Sequence, residues 1–239
     1  MCGRFVSTSS ASEIGQSFEA MVNAADLAPN YNIAPTANIY GILHRSEGRV
    51  VENFSWGLVP IWAKDRSRAS SLINARAETI SEKPSFRGLL KSHRCVVPLT
   101  GYYEWKTVDK PGISKTAKQP YYFTPTDSRL FAVAGLWTTW REPGSALDAP
   151  VFHSCVLITT TANDTVGSVH NRMPVLLDGD GINEWISIDG LAPLHLLKPA
   201  PNQFLSFIKV DTAVNSTRNR GPQLIAEING NSADSKTLF

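Results

Sequence analysis

Cysteine is scarce in this 239-residue chain, and the scarcity is a constraint in itself. The three residues, Cys2, Cys95 and Cys155, are odd in number and form no C-x-x-C pair, which argues against a disulfide framework. Neither they nor the five histidines show the short paired spacings of zinc ligands, so no metal is expected, and nothing points to a cofactor. No apolar run approaches the ~18 residues of a membrane span. Residues 1–30 lack a basic segment followed by an apolar one, so neither a signal peptide nor a membrane anchor is expected. A Gly-rich phosphate loop is missing, as is the βαβ alternation of dinucleotide-binding folds. The net charge of only +2 does not by itself demand a polyanionic partner.

What is present suits one sizeable domain over residues 1–229, with a polar, flexible tail over 230–239. Ile14, Phe18, Met21 and Val22 share one face of a helix predicted over 9–24. Segments 38–44 and 49–60 read as a hairpin around Ser46-Glu47-Gly48. Pro84 opens a short helical piece with Phe86, Leu89 and Leu90 as its stripe. Strand-like runs follow at 94–98, 101–107, 119–124, 129–140 and 151–161. Asp180 is a candidate cap for a short helix with Ile182, Trp185 and Ile186. Another short helix is expected at 190–197, and a strand at 205–210. Loops 108–119 and 141–150 read as surface hairpin tips. The fold class is α+β: mostly antiparallel β-sheets closing toward a barrel, flanked by several short helices.

Cys2 is the first chemical candidate. With Met1 removed, it carries an α-amine and a thiol two carbons apart. Such an amine can form an imine with an aldehyde, on which the thiol closes a five-membered ring. It can also act as base for its own thiol. Cys95 and Cys155 lie in apolar runs and read as core thiols. Asn74, Arg76 and Glu78 alternate, so an extended chain would project them to one side. They form either a structural network or a site floor. Glu104 sits among aromatics in Gly101-Tyr102-Tyr103-Glu104-Trp105. Burial there would raise its pKa and suit it to proton transfer, whereas pairing with Lys106 would leave it a surface residue. His170 in His170-Asn171-Arg172-Met173-Pro174 is a candidate acid or a structural histidine. Residues 64–94 hold eight cations against three acids, either a phosphate-binding surface or a solvated face. Trp56, Trp62 and Trp105 are stacking candidates or core.

Taken together and in order, Cys2-Gly3-Arg4-Phe5, Tyr31-Asn32-Ile33-Ala34-Pro35-Thr36, Trp56-Gly57-Leu58-Val59-Pro60, Ile73-Asn74-Ala75-Arg76-Ala77-Glu78-Thr79, Gly101-Tyr102-Tyr103-Glu104-Trp105 and His170-Asn171-Arg172-Met173-Pro174 resemble the SOS response-associated peptidase (SRAP) family. The resemblance spans Cys2 to about Glu227 and departs at Asn171, where many relatives carry Asp. It implies a protein that senses abasic sites in single-stranded DNA and crosslinks to them as a thiazolidine through Cys2. It also implies autocatalytic, peptidase-like removal of Met1 and a lyase-type activity. Catalytic roles then fall to Cys2, Asn74, Glu104 and His170. DNA contacts fall to Arg4, Arg76 and Arg172 at phosphates, with Pro35 and Trp62 shaping the strand.

The chemistry of Cys2 leaves rivals open. An N-terminal-nucleophile amidohydrolase would use the same residue on an amide. A non-covalent reader of modified bases would bind DNA without it. A protease acting on other proteins is a third. The expected partner is abasic single-stranded DNA and the expected state a monomer. The expected compartment is cytoplasmic or nucleoid-associated in a bacterium and nuclear in a eukaryote.

Overall fold

The computed structural model describes residues 2–109, 117–187 and 190–228. Its strands are β1 (Phe5–Ser7), β2 (Met21–Val22), β3 (Asn30–Ile33), β4 (Asn38–Arg45), β5 (Gly48–Trp56), β6 (Asn74–Arg76), β7 (Arg94–Leu99), β8 (Gly101–Val108), β9 (Ala117–Pro125), β10 (Phe131–Trp140), β11 (Phe152–Thr161), β12 (Arg172–Pro174) and β13 (Leu205–Lys209). Four short helices accompany them: α1 (Ala11–Ser17), α2 (Pro84–Arg87), α3 (Asp164–Gly167) and α4 (Gly179–Ile186).

One sheet has the order β13-β9-β8-β1-β3 and the other β12-β11-β10-β7-β4-β5-β2. In the second, β5 also pairs in parallel with β11, through Ser55 opposite Ser154 and Trp56 opposite Cys155. That seam closes β5, β4, β7, β10 and β11 into a ring, the barrel expected from the run of strands. The ring's filling is apolar and includes Leu43, Phe54, Trp56, Val97, Val133 and Leu157. A second apolar layer on its outer face packs Ile42, Val51, Val96 and Val156 against Ile14 of α1, Phe86 of α2 and Trp185 of α4. Cys95 and Cys155 are free, fully buried thiols of the ring wall, as their apolar runs suggested.

Local chemistry explains the boundaries. A capping box starts α1: Ser10 Oγ accepts from Glu13 N, and Glu13 Oε2 accepts from Ser10 N. The helix stops far short of residue 24. Glu19 takes a positive φ of 50°, and the chain turns back so that Met21 and Val22 become an edge strand on β5. Ile14 and Phe18 are buried as expected, but Met21 and Val22 are about half exposed. The reversal needs Gly15, whose Cβ would lie 2.7 Å from Val22 Cγ2. The β4–β5 hairpin turns at Gly48, and β5 ends at Trp56 rather than Pro60. Pro84 opens α2 at its first turn. Asp178, not Asp180, caps α4 by accepting from Gly181 N. The helix expected near 190–197 is a single 3-10 turn, Leu194–Leu196. Loop 141–150 lies at the surface, whereas most of the other expected tip and the polar tail fall outside the described residues.

Candidate functional site

Four separate segments converge on Cys2. The residue precedes β1, which lies between β3 and β8, with Phe5 opposite Ile33 on one side and Tyr102 on the other. Cys2 is fully buried, and its thiol is pushed upward by burial first and by the charge of Glu104 second. It is therefore protonated in the folded protein. Asn74 Nδ2 donates to the Cys2 carbonyl at 2.8 Å, while Asn74 Oδ1 is buried with no hydrogen-bond partner among the described residues. Asn74 is held in place because β6 pairs with β11, Asn74 opposite Leu157 and Arg76 opposite Thr159.

Glu104 lies two residues beyond Tyr102 on β8, on the same face of the strand. It is only 2% exposed, so it is not a surface partner for Lys106. Burial raises its carboxyl above the ordinary value of 4.5, the direction its aromatic setting predicted. His170 follows α3, whose N-cap is Asn163 accepting from Val166 N. Its Nε2 stands 3.9 Å from Glu104 Oε2. The amide of Arg172 donates to His170 Nδ1 at 3.0 Å. The Arg172 carbonyl lies 3.3 Å from the same nitrogen, so the Arg172 backbone holds the ring from its Nδ1 side and leaves Nε2 toward Glu104. Burial lowers the His170 pKa below 6.5, which favours the neutral ring near pH 7. The arrangement can hold an amine and a thiol beside a carboxyl of raised pKa and pass protons between carboxyl and imidazole.

The expected arginines divide. Arg172 is clamped by Glu78 at 2.6 and 3.0 Å, and its Nη2 also donates to the Thr159 carbonyl at 2.7 Å. The pairing lowers the Glu78 carboxyl. Glu78 itself is not on an alternating strand with Asn74 and Arg76, because Ala77–Thr79 turns into a 3-10 helix. Arg4 donates to Asn32 Oδ1 at 2.8 Å and to the Val214 carbonyl at 3.0 Å. Buried Asn32 in turn donates to the carbonyls of Val214, Ser216 and Asn219, tying the C-terminal segment to β3. Arg76 is exposed and makes no hydrogen bond or ion pair among the described residues.

Pro35 is half-buried in the turn between β3 and β4, next to Thr36 with φ of 72°. That is an uncommon value for a β-branched residue. The Thr36 amide is fixed by a 2.7 Å bond to the Trp56 carbonyl. Trp62 is 61% exposed on the loop that leaves β5 and returns into β6 at Asn74, whereas Trp56 is core and Trp105 donates to Asn215 Oδ1. Of the basic run, Lys64, Arg66, Arg68, Lys83, Arg87 and Lys91 are exposed. Arg94 is not part of that surface: it is buried and donates to the carbonyls of Leu90, Lys91, Trp185 and Ser187. Two open clefts of about 440 and 1030 Å³ lie elsewhere, lined by none of Cys2, Asn74, Glu104 and His170. No group of three or more potential metal ligands occurs among the described residues.

Sequence reasoning assigned no role to Tyr102. Its hydroxyl is buried with no hydrogen-bond partner among the described residues, and burial above all holds its proton. The signal was the identity of the residue: a hydroxyl inside a run of core aromatics.

Comparison with known proteins follows the geometry. The profile of the SOS response associated peptidase (SRAP) family matches residues 1–217. The abasic site processing protein YoqW of Bacillus subtilis (strain 168) is 37% identical over 230 residues, covering 94% of this chain and 99% of that protein. The abasic site processing protein HMCES of Gallus gallus is 32% identical over 234 residues, covering 84% of this chain and 66% of that protein. A crystal structure of a protein from Bacteroides thetaiotaomicron superimposes with a TM-score of 0.82 at 23% identity, covering 95% of this chain and 100% of that one, a likeness of fold.

Proposed function

This chain belongs to the SOS response associated peptidase (SRAP) family, and we propose that it processes abasic sites in single-stranded DNA by forming a covalent thiazolidine at Cys2 once Met1 has been removed. The names of its relatives support abasic-site processing. The observation that carries the finer reading is the run of contacts from Asn74 to the Cys2 carbonyl and from Glu104 to His170, around a buried thiol.

In this reading the open form of the abasic sugar presents an aldehyde. The neutral α-amine of Cys2 adds to its carbon, and loss of water leaves an imine. An α-amine has an ordinary pKa near ~7.7–8.0, so much of it is neutral at cellular pH. The Cys2 sulfur then bonds to the imine carbon, the π electrons pass to nitrogen, and the thiol proton ends there. Asn74 orients the Cys2 backbone. Glu104 relays protons at the amine and assists Met1 removal. His170 donates toward the sugar oxygen and promotes ring opening. Arg76 contacts phosphate, whereas Arg4 and Arg172 act by holding the walls of the site. Pro35 and Trp62 shape the strand.

The test uses Met1-free protein and a single-stranded oligonucleotide with one abasic site. A heat-stable, gel-shifted adduct whose intact mass maps to Cys2 is expected. Cys2→Ala should keep an amine able to form a borohydride-trappable imine but yield no thiazolidine. If the wild-type protein gives no adduct, the reading fails.

A further inference from the structure

Glu78 is the member of the Asn74, Arg76 and Glu78 motif that this mechanism leaves unused. The chain leaves β6 in a 3-10 turn before reaching it, so Glu78 is not part of the face that carries Asn74. It meets the site from another direction. Its two carboxylate oxygens accept from Arg172, Oε1 from Nη1 at 2.6 Å and Oε2 from Nη2 at 3.0 Å. Paired bonds between a carboxylate and a guanidinium fix orientation as well as distance.

The sheet decides what is fixed. β6 and β12 each pair with β11 and, among the described strands, not with each other. They share Thr159, which stands opposite Arg76 of β6 and opposite Pro174 of β12. A strand has one neighbour on each side, so β11 runs between the two. The Glu78–Arg172 clamp passes across β11, and Arg172 Nη2 also donates to the Thr159 carbonyl at 2.7 Å. On the β6 side, Asn74 holds the Cys2 carbonyl at 2.8 Å. On the β12 side, the Arg172 backbone holds the His170 ring through contacts of 3.0 and 3.3 Å at Nδ1, with Nε2 3.9 Å from Glu104. The clamp therefore ties the segment that holds Cys2 to the segment that carries His170.

We propose that Glu78 is a positioning residue of the reaction: through Arg172 it sets His170 at the distance from Cys2 at which the ring can serve the sugar oxygen. The inference rests on the function proposed above. It concerns one step of it, the opening of the abasic sugar. There the bond between the ring oxygen and the anomeric carbon breaks, and its electron pair stays on the ring oxygen, which takes a proton. The anomeric hydroxyl gives up its own proton, and the aldehyde carbonyl is left. His170 serves that proton transfer only if its ring stands at the right reach. Imine formation and sulfur addition follow at Cys2 and make no use of Glu78.

Glu78→Ala tests this with two single-stranded oligonucleotides, both at saturating concentration and well below the melting temperature. One carries an abasic site. The other carries, at the same position, an alkyl aldehyde that cannot close into a ring. The adduct with the abasic site should form about 10-fold or more slowly, inside the range of about 10²–10⁴ that a positioned acid supplies. The open aldehyde should react at the wild-type rate. In a His170→Ala background, adding Glu78→Ala should bring no further slowing on the abasic site. A wild-type rate on the abasic site overturns the inference. Equal slowing on both oligonucleotides overturns it too, since that reports a loosened site, and so does further slowing in the His170→Ala background. A wild-type protein that gives no adduct with either oligonucleotide overturns the function itself, whereas a wild-type adduct that Glu78→Ala leaves untouched defeats this inference alone.

Discussion

Glu104 carries opposed demands at the residue scale. Burial raises its carboxyl above 4.5, so between the unfolded and the folded value the folded state holds a proton that the unfolded chain has released. The stability it contributes is full below the unfolded value and is lost as pH rises through the folded one. Glu104→Gln should therefore raise the melting temperature at pH 7–8, with the gain vanishing as pH falls toward 4.5. The same variant should slow adduct formation by about 10²-fold or more. Thermal scans across pH, read beside adduct kinetics, check both signs. The arginines give a second contrast. Arg76→Ala should leave stability nearly untouched. It should weaken binding to single-stranded DNA and reduce the slope of log affinity against log salt by about 0.7. Arg172→Ala releases Glu78 and the Thr159 carbonyl, and should cost about 1–3 kcal/mol in denaturant unfolding.

Gly57 sets the geometry at the scale of elements. It leaves β5 with φ of +134°, and a Cβ there would lie 2.4 Å from the Ala69 carbonyl oxygen. Gly57→Ala combines strain with a backbone clash, so it should destabilise by about 2 kcal/mol or more and displace the loop bearing Trp62. Urea unfolding and limited proteolysis within 57–72 would show it. The elements also explain what the sequence could disclose. β7, β10 and β11 were legible because a ring strand covered on both faces is a nearly unbroken apolar run. The edge strand β2 was not, since Met21 and Val22 fit the stripe of α1 equally well until the chain turns at Glu19. Asp178 and Asp180 were equally good caps by type, and only the backbone before Gly179 decides between them. The buried Arg94 defied composition, because beside the nearby carbonyls of Leu90 and Lys91 its compensation comes from carbonyls at the end of α4, some ninety residues away. In the site, the aromatics around Glu104 foretold its burial. The Arg172–Glu78 clamp was invisible because its partners are 94 residues apart.

The whole molecule is two sheets with Cys2 just ahead of β1, which pairs on both sides in the sheet outside the ring. Because the proposed chemistry needs a free nitrogen on Cys2, an N-terminal extension that resists cleavage should abolish the adduct with no loss of stability. Mass spectrometry and a melting curve test the pair of outcomes. The position of β1 has one more consequence. A DNA strand joined to Cys2 is also a tether, and any motor hauling on that strand would load the protein at its first strand. β1 is three residues long, so its hydrogen bonds would part a few at a time. The pull would take β1 from the five-stranded sheet first, then α1 and β2 from the outside of the ring, and would reach a strand of the ring itself only at β4. A protein anchored in this way would resist heat with its whole fold, yet yield to traction from one end.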